Sequence, residues 1–98
     1  MDLQLKGRAA LVTGASSGIG RAIARALARE GARVAVTGRR RESLEALAAE
    51  IAGEGGAPPV VVVHDAMDAG YVEAVAARAS AALGPVQILV NNAGGSRA

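Results

Sequence analysis

Two kinds of segment alternate from one end of this 98-residue chain to the other. Short apolar stretches rich in alanine, valine and leucine predict strands at residues 9–12, 33–37, 60–63 and 86–90. Each of the first three is followed by a stretch with apolar residues at helical spacing. Strands that alternate with helices pair in parallel, because each helix carries the chain back across the sheet. The alternation therefore predicts an α/β fold with right-handed crossovers.

Each of the three predicted helices has an apolar stripe and a stop signal. The first covers residues 18–30 and ends at Gly31, where a left-handed backbone is favoured. The second covers residues 42–52, and the third begins with Asp68 as its cap and ends at Gly84. The apolar positions are, in order, Ile19, Ile23 and Leu27; Leu44, Leu47, Ala48 and Ile51; and Val72, Val75, Ala76, Ala79 and Leu83. We expect these stripes to face the sheet.

Together these elements predict a Rossmann-like, doubly wound parallel sheet, incomplete at four strands, with the order 3-2-1-4 and three helices. A chain of 98 residues has room for one domain, so residues 1–98 are expected to belong to a single dinucleotide-binding domain. Open sheets of this kind bind ligands at the carboxyl ends of their strands. The candidate functional residues are therefore those that follow the four strands.

Composition argues against several classes of function. The chain has no cysteine, which excludes disulfides, thiolate nucleophiles and zinc sites with cysteine ligands. Its net charge of +2 is too small to favour nucleic acid or an anionic membrane surface as a partner. No apolar run approaches the ~20 residues that cross a bilayer, and the N-terminus lacks a secretory pattern. We therefore expect a cytoplasmic protein without a metal site.

A glycine-rich turn, Thr13-Gly14-Ala15-Ser16-Ser17-Gly18-Ile19-Gly20, joins the first strand to the first helix. Its glycines lack the Cβ atoms that would keep a diphosphate away from the backbone. The N–H groups of the first helical turn and the helix dipole both attract an anion. The turn is not a Walker A loop, because the required Gly-Lys-Ser/Thr is missing. A tight turn without a ligand is the alternative interpretation.

Basic residues follow the second strand, in the run Gly38-Arg39-Arg40-Arg41. A solvated basic patch is the simplest interpretation, but basic residues at a helix N-terminus oppose the helix dipole, and a bound anion would reverse that effect. Sheets of this type that bind NAD place an acidic side chain here for the ribose 2′-OH. Gly38 has none, and the Arg39 guanidinium suits a 2′-phosphate. The run therefore favours NADP(H) over NAD(H).

Polar residues also follow the third and fourth strands. Asp65 is either a simple loop acid or an acceptor for an adenine amino group, while His64 has no second ligand nearby and is expected to be a strand-end residue. The segment Asn91-Asn92-Ala93-Gly94 suits a strand end that approaches a ribose and ties adjacent loops together. Its alternative is a plain turn, in which asparagine and glycine are common.

These strand-end motifs together resemble the short-chain dehydrogenase/reductase family, in its classical 3-oxoacyl-[acyl-carrier-protein] reductase-like branch. The resemblance lies in residues 13–20, Asp65, and Ile88-Leu89-Val90-Asn91-Asn92-Ala93-Gly94. It covers essentially the whole chain in order, but only the N-terminal part of the family's fold. It implies an NADP(H)-dependent oxidoreductase that reduces a carbonyl on a small-molecule or acyl-thioester substrate and forms a homo-oligomer when complete.

The resemblance also implies roles for individual residues. Backbone contacts to the diphosphate and the nicotinamide side fall to Gly14, Gly18, Ile19 and Gly20. The 2′-phosphate would face Ser16 and Arg39, with Ser17 nearby. The adenine would border Asp65 and Ala66. The adenosine ribose would contact Asn92, Ala93 and Gly94. Asn91 is expected to stabilise the sheet.

The family's catalytic residues have no counterpart in this sequence. Family catalysis uses a Tyr-x-x-x-Lys pair and a serine, whereas Tyr71 is followed at that spacing by Val75, and Lys6 is the only lysine. We therefore expect no catalytic residue in the chain and no activity of the chain alone.

Two hypotheses about the chain remain. In the first, it is the N-terminal part of a carbonyl reductase, which is favoured because the apolar fourth strand would otherwise be an exposed edge. The other is a small, non-catalytic nucleotide-binding protein of the same topology.

Overall fold

A four-stranded parallel sheet forms the centre of the protein. The computed structural model describes residues 5–16, 18–64 and 70–92, with the backbone alone for residues 71 and 72. The strands are β1 (Ala9–Thr13), β2 (Arg33–Gly38), β3 (Val60–Val63) and β4 (Ile88–Asn91). Their order is β3-β2-β1-β4, and all three neighbouring pairs are parallel. The predicted order and the predicted Rossmann-like class are confirmed.

Three helices connect the strands: α1 (Gly18–Arg29), α2 (Arg41–Gly53) and α3 (Tyr71–Leu83). The predicted stops are confirmed, because Gly31 follows α1 with a φ of 91° and Gly84 caps α3 with a φ of 86°. The start of α3 differs from the prediction. Its N-cap is Gly70 with a φ of 73°, and Asp68 lies outside the described residues.

Helices α1 and α2 cover one face of the sheet. The predicted stripe of α2 is confirmed, since Leu44, Leu47 and Ile51 are fully buried there. The predicted stripe of α1 is only marginal: Ile23 and Leu27 are partly buried, and Ile19 is 69% exposed. The residues of α1 that face the core are instead small: Gly20, Ala24 and Ala28. Small side chains allow the helix to lie close to the sheet, which a larger apolar stripe would prevent.

Helix α3 covers the opposite face, where the second apolar cluster lies. Val75 and Ala79 of its predicted stripe are fully buried against Leu11 and Ala35. This cover is uneven, because Leu89 of the edge strand β4 pairs with Leu11 in register yet remains 50% exposed. Among the described residues, we find no helix long and apolar enough to cross a membrane.

Ion pairs join α1 to α2 along their outer surfaces. Arg21 Nη2 lies 2.5 Å from Glu50 Oε2, and Arg25 binds the carboxylate of Glu54. The hydrogen bond from Arg25 holds the pKa of Glu54 below its usual value and raises the pKa of Arg25 in turn. These pairs are partly exposed, so their contribution to stability is small.

Candidate functional site

The ends of the four strands meet at one edge of the sheet. Because all strands are parallel, Thr13, Gly38, Val63 and Asn91 end their strands on the same side. The predicted candidate residues follow these positions in the sequence, and the topology brings those that the structure describes to this edge. Five of them, Ser17, Asp65, Ala66, Ala93 and Gly94, lie outside the described residues.

The glycine-rich turn brings the start of α1 very close to the end of β1. Gly14 and Gly18 have φ values of 63° and 62°, a left-handed conformation that side chains disfavour. Gly20 has a different requirement: a Cβ atom there would lie 2.9 Å from Asn92 Nδ2 and closer still to the carbonyl oxygen of Gly14. Gly20 therefore permits contact between helix and strand, whereas the space beside Gly18 is open.

The N-terminus of α1 has the properties of an anion site. Its first turn contains no acidic residue, so the unpaired N–H groups and the positive end of the dipole are not neutralised by the helix itself. Ile19, the second residue of the helix, is the most exposed large apolar side chain among the described residues. An anionic group with an apolar ring beside it would match both features.

Ser16 packs against the end of β2. A Cβ atom on Gly38 would collide with Ser16 Oγ, so glycine at this position leaves the space that the serine occupies. The Ser16 Oγ atom is buried and has no hydrogen-bond partner among the described residues. A buried hydroxyl without a partner is unfavourable, and a ligand that accepts a hydrogen bond from it would remove that cost.

The start of α2 adds positive charge to this corner. Arg40 is the N-cap of α2 and provides no side-chain capping bond, and Arg41 pairs with Glu45 at 3.5 Å. The exposed guanidinium of Arg39 has no hydrogen bond or ion pair with the described part of the chain. Three successive arginines at the positive end of a helix dipole favour a bound anion.

A hydrogen-bond cluster ties β4 to the glycine-rich turn. The buried Thr13 Oγ1 lies 2.8 Å from Asn91 Oδ1 and accepts a bond of 2.8 Å from the backbone N–H of Asn92. The Asn92 side chain donates to the Gly14 carbonyl at 3.3 Å. This agrees with the roles predicted for the two asparagines in the sheet and in tying loops together. The role of Thr13 was not predicted, although a β-branched hydroxyl residue at a strand end was the available sequence signal.

His64 behaves as a strand-end residue. It follows β3 directly, and its backbone N–H donates to the Gly38 carbonyl at 2.9 Å, extending the ladder between β2 and β3 by one bond. The described residues contain no group of three or more histidine, aspartate or glutamate side chains placed to hold a metal ion.

The single lysine and the single tyrosine of the chain are far from each other in the fold. Lys6 packs on Gly31 at the amino edge of the sheet, whereas α3 begins at Tyr71 after the carboxyl end of β3. The single lysine and the single tyrosine of the chain therefore lie at opposite edges of the sheet.

Known proteins share both the sequence and the fold. Residues 8–98 match the family model described as short chain dehydrogenase. A D-threitol dehydrogenase from Mycolicibacterium smegmatis is 48% identical over 96 residues, which make up 98% of this chain and 36% of that protein.

Two solved structures show the same agreement. The L-sorbose reductase from Gluconobacter frateurii, complexed with NADPH and L-sorbose, has a TM-score of 0.87 at 37% identity, covering 96% of this chain and 36% of that one. A 3-oxoacyl (acyl-carrier-protein) reductase from Agrobacterium tumefaciens C58 with NADP bound has a TM-score of 0.83 at 44% identity, covering 91% and 34%. The chain thus spans about a third of the length of these relatives.

Proposed function

Because this chain belongs to the short-chain dehydrogenase family, we propose that it forms the cofactor-binding part of an NADP(H)-dependent oxidoreductase. The observation that carries this proposal is the corner between the turn and β2. There the buried Ser16 hydroxyl, which has no hydrogen-bond partner among the described residues, lies against Gly38, and the next residue along the chain, Arg39, is exposed and makes no ion pair with the described residues. A 2′-phosphate offers acceptor oxygens to both groups.

The same corner disfavours NAD(H). A site for NAD(H) uses a carboxylate at the end of the second strand to accept from the ribose 2′-OH. Gly38 stands at that position and has no carboxylate, and a side chain there would require Ser16 Oγ to turn to another rotamer. The end of β2 therefore offers no carboxylate acceptor for a ribose 2′-OH.

The rest of the cofactor follows the carboxyl edge of the sheet. The diphosphate lies over the N-terminus of α1, on the backbone of Gly14, Gly18 and Gly20, and Ile19 faces the nicotinamide side. The adenine borders Asp65 and Ala66, with Ser17 near the 2′-phosphate, and the adenosine ribose contacts Asn92, Ala93 and Gly94. When bound, the nicotinamide supplies or accepts a hydride at a substrate carbon.

Within this chain, residues bind and orient the cofactor, while the reacting groups lie elsewhere in the complete enzyme. Relatives named for a polyol, a ketose and an oxoacyl thioester match the chain at 37–48% identity. Because relatives named for different substrates match the same segment, the segment is expected to serve a function that does not depend on the substrate. Binding of a nicotinamide cofactor is such a function. The substrate we propose is a carbonyl compound, either a small molecule or an acyl thioester, and the complete enzyme is a homo-oligomer.

Hydride transfer by the complete enzyme tests the proposal. Carbonyl substrates of both classes are assayed with NADPH and with NADH, following the loss of reduced nicotinamide. We expect kcat/KM to be at least about tenfold higher with NADPH, because one charge-assisted contact contributes about 1.5–3 kcal/mol. Equal use of the two cofactors, or a preference for NADH, would contradict the proposal.

The substitution Ser16→Ala separates a ligand-binding hydroxyl from a structural one. Because the hydroxyl has no hydrogen-bond partner within the described part of the chain, its removal is expected to leave the free energy of unfolding unchanged or slightly higher. NADPH binding is expected to weaken by about three- to tenfold, because one hydrogen bond to the 2′-phosphate is lost. NADH, which has no 2′-phosphate, is expected to bind almost as before. Thermal unfolding without cofactor and fluorescence titration measure the two effects.

Thr37→Val is the matched control for Ser16→Ala. Thr37 Oγ1 is also buried without a hydrogen-bond partner among the described residues, and Thr37 directly precedes Gly38. The valine variant should therefore show the same stability behaviour without a change in the ratio of NADPH to NADH affinity. A loss of stability in Ser16→Ala with unchanged cofactor binding would assign the serine a purely structural role.

A further inference from the structure

Arg21 links the helix that begins at the glycine-rich turn to the helix that carries the arginine run. It is the fourth residue of α1, directly after Gly20, and its side chain is 25% exposed. Its Nη1 donates to the backbone carbonyl of Ser43 at 3.3 Å, and its Nη2 binds Glu50 Oε2 at 2.5 Å. One planar guanidinium thus contacts α2 both in its first turn and two turns further on.

These two helix starts carry the two anion subsites of the proposed cofactor site. The diphosphate subsite is the N-terminus of α1, and the 2′-phosphate subsite lies beside Arg39, just before α2. Both phosphate groups belong to one molecule, so their separation is fixed by the ribose between them. Simultaneous binding therefore requires the starts of α1 and α2 to keep a set distance and rotation.

We propose that Arg21 is a positioning residue that sets the spacing between the diphosphate and 2′-phosphate subsites, and so contributes to the preference for NADP(H). The proposal rests on the proposed function, because it needs a 2′-phosphate at Arg39. Arg21 acts through the position of α2 and not by touching the cofactor. Its planar fork holds the Ser43 carbonyl and the Glu50 carboxylate together, which a single ammonium group cannot reproduce with the same geometry.

Arg25 provides a matched control on the same two helices. It lies one turn after Arg21 on α1 and binds Glu54, the C-cap residue of α2. Removing its charge breaks an ion pair of the same kind at the end of α2 that is remote from Arg39. A merely structural effect of losing a pair between α1 and α2 would appear equally in both variants.

The test compares dissociation constants of NADPH and NADH for the complete enzyme and its Arg21→Met, Arg21→Lys and Arg25→Met variants. For Arg21→Met we expect about fivefold weaker NADPH binding, or about 1 kcal/mol, with NADH changed less than about twofold. Arg21→Lys should restore part of the NADPH affinity. Arg25→Met should leave the ratio of the two constants unchanged.

Several results would overturn the proposal. These are an equal loss of both cofactors in Arg21→Met, no loss of NADPH affinity, or the same change of ratio in Arg25→Met. Glu50→Gln removes the ion pair with little change of shape, and it should shift the ratio in the same direction as Arg21→Met. If Arg39→Ala lowers NADPH affinity selectively while the Arg21 and Glu50 variants do not, the positioning role of Arg21 is wrong and the proposed function still holds. If the wild-type enzyme shows no preference for NADPH, both the positioning role and the proposed function are wrong.

Discussion

Replacing Arg39 by alanine in the complete enzyme is expected to weaken NADPH binding by about ten- to a hundredfold while NADH binding stays within about threefold. The guanidinium is exposed and has no ion pair within the described residues, so the free protein loses nothing that stabilises it. The whole effect should therefore appear in the complex with the 2′-phosphate. Calorimetric titration of both cofactors measures it directly.

Arg41→Ala is the control for this prediction. It removes the same charge two residues away, but Arg41 is paired with Glu45 at 3.5 Å on the surface of α2. We expect both cofactors to change by less than about threefold, because exposed charges interact weakly through solvent. If Arg41→Ala and Arg39→Ala have equal effects, the arginines act only as a diffuse positive patch and the specific role of Arg39 is wrong.

Gly20→Ala is expected to have the largest effect on stability among the substitutions considered. The added Cβ would lie 2.9 Å from Asn92 Nδ2 and would collide with the Gly14 carbonyl. Backbone atoms cannot move aside by changing rotamer, so the start of α1 must shift away from β1. We expect a loss of about 3 kcal/mol in the free energy of unfolding. The displaced N–H groups should also weaken binding of both cofactors by more than about tenfold.

Gly53→Ala tests whether the Gly20 effect is due to the collision. Gly53 is the last residue of α2, and a Cβ there meets nothing within 4 Å. Alanine is expected to stabilise this position by about 0.5–1 kcal/mol, since glycine is unfavourable in a helix. The same substitution should thus change stability in opposite directions at the two sites, as measured by denaturant unfolding. A mild effect at Gly20 would show that the turn can widen freely.

The topology of the sheet could be predicted because it follows from local patterns. Each strand is a short apolar run, each helix has a repeating apolar stripe, and Gly31 and Gly84 follow the ends of their helices as predicted. Parallel pairing and the order of the strands then follow from general rules of chain connection. No long-range contact has to be known for any of these steps.

The buried face of α1 could not be predicted from hydrophobicity. The pattern of Ile19, Ile23 and Leu27 is the stronger apolar stripe, yet the helix turns Gly20, Ala24 and Ala28 toward the sheet. The reason is the close approach of α1 to β1 at Gly14, which only small side chains permit. Hydrophobic periodicity measures apolar character, not the distance between two backbones.

The location of the candidate site could be predicted, but its internal contacts could not. The strand-end residues had to meet because parallel strands end at one edge. The bond between Thr13 and Asn91, the contact of Ser16 with Gly38, and the bridge from Arg21 to α2 join residues that are far apart in sequence. Such contacts depend on side-chain placement after folding, which local patterns do not determine.

The most direct test of the account is calorimetric titration of the complete enzyme with adenosine 2′,5′-bisphosphate and with adenosine 5′-monophosphate. The two compounds differ only in the 2′-phosphate, so their affinity ratio isolates the subsite proposed at Ser16 and Arg39. We predict at least about tenfold tighter binding of the bisphosphate, and a ratio close to one in Arg39→Ala. Equal affinities in the wild-type enzyme would contradict the assignment of NADP(H).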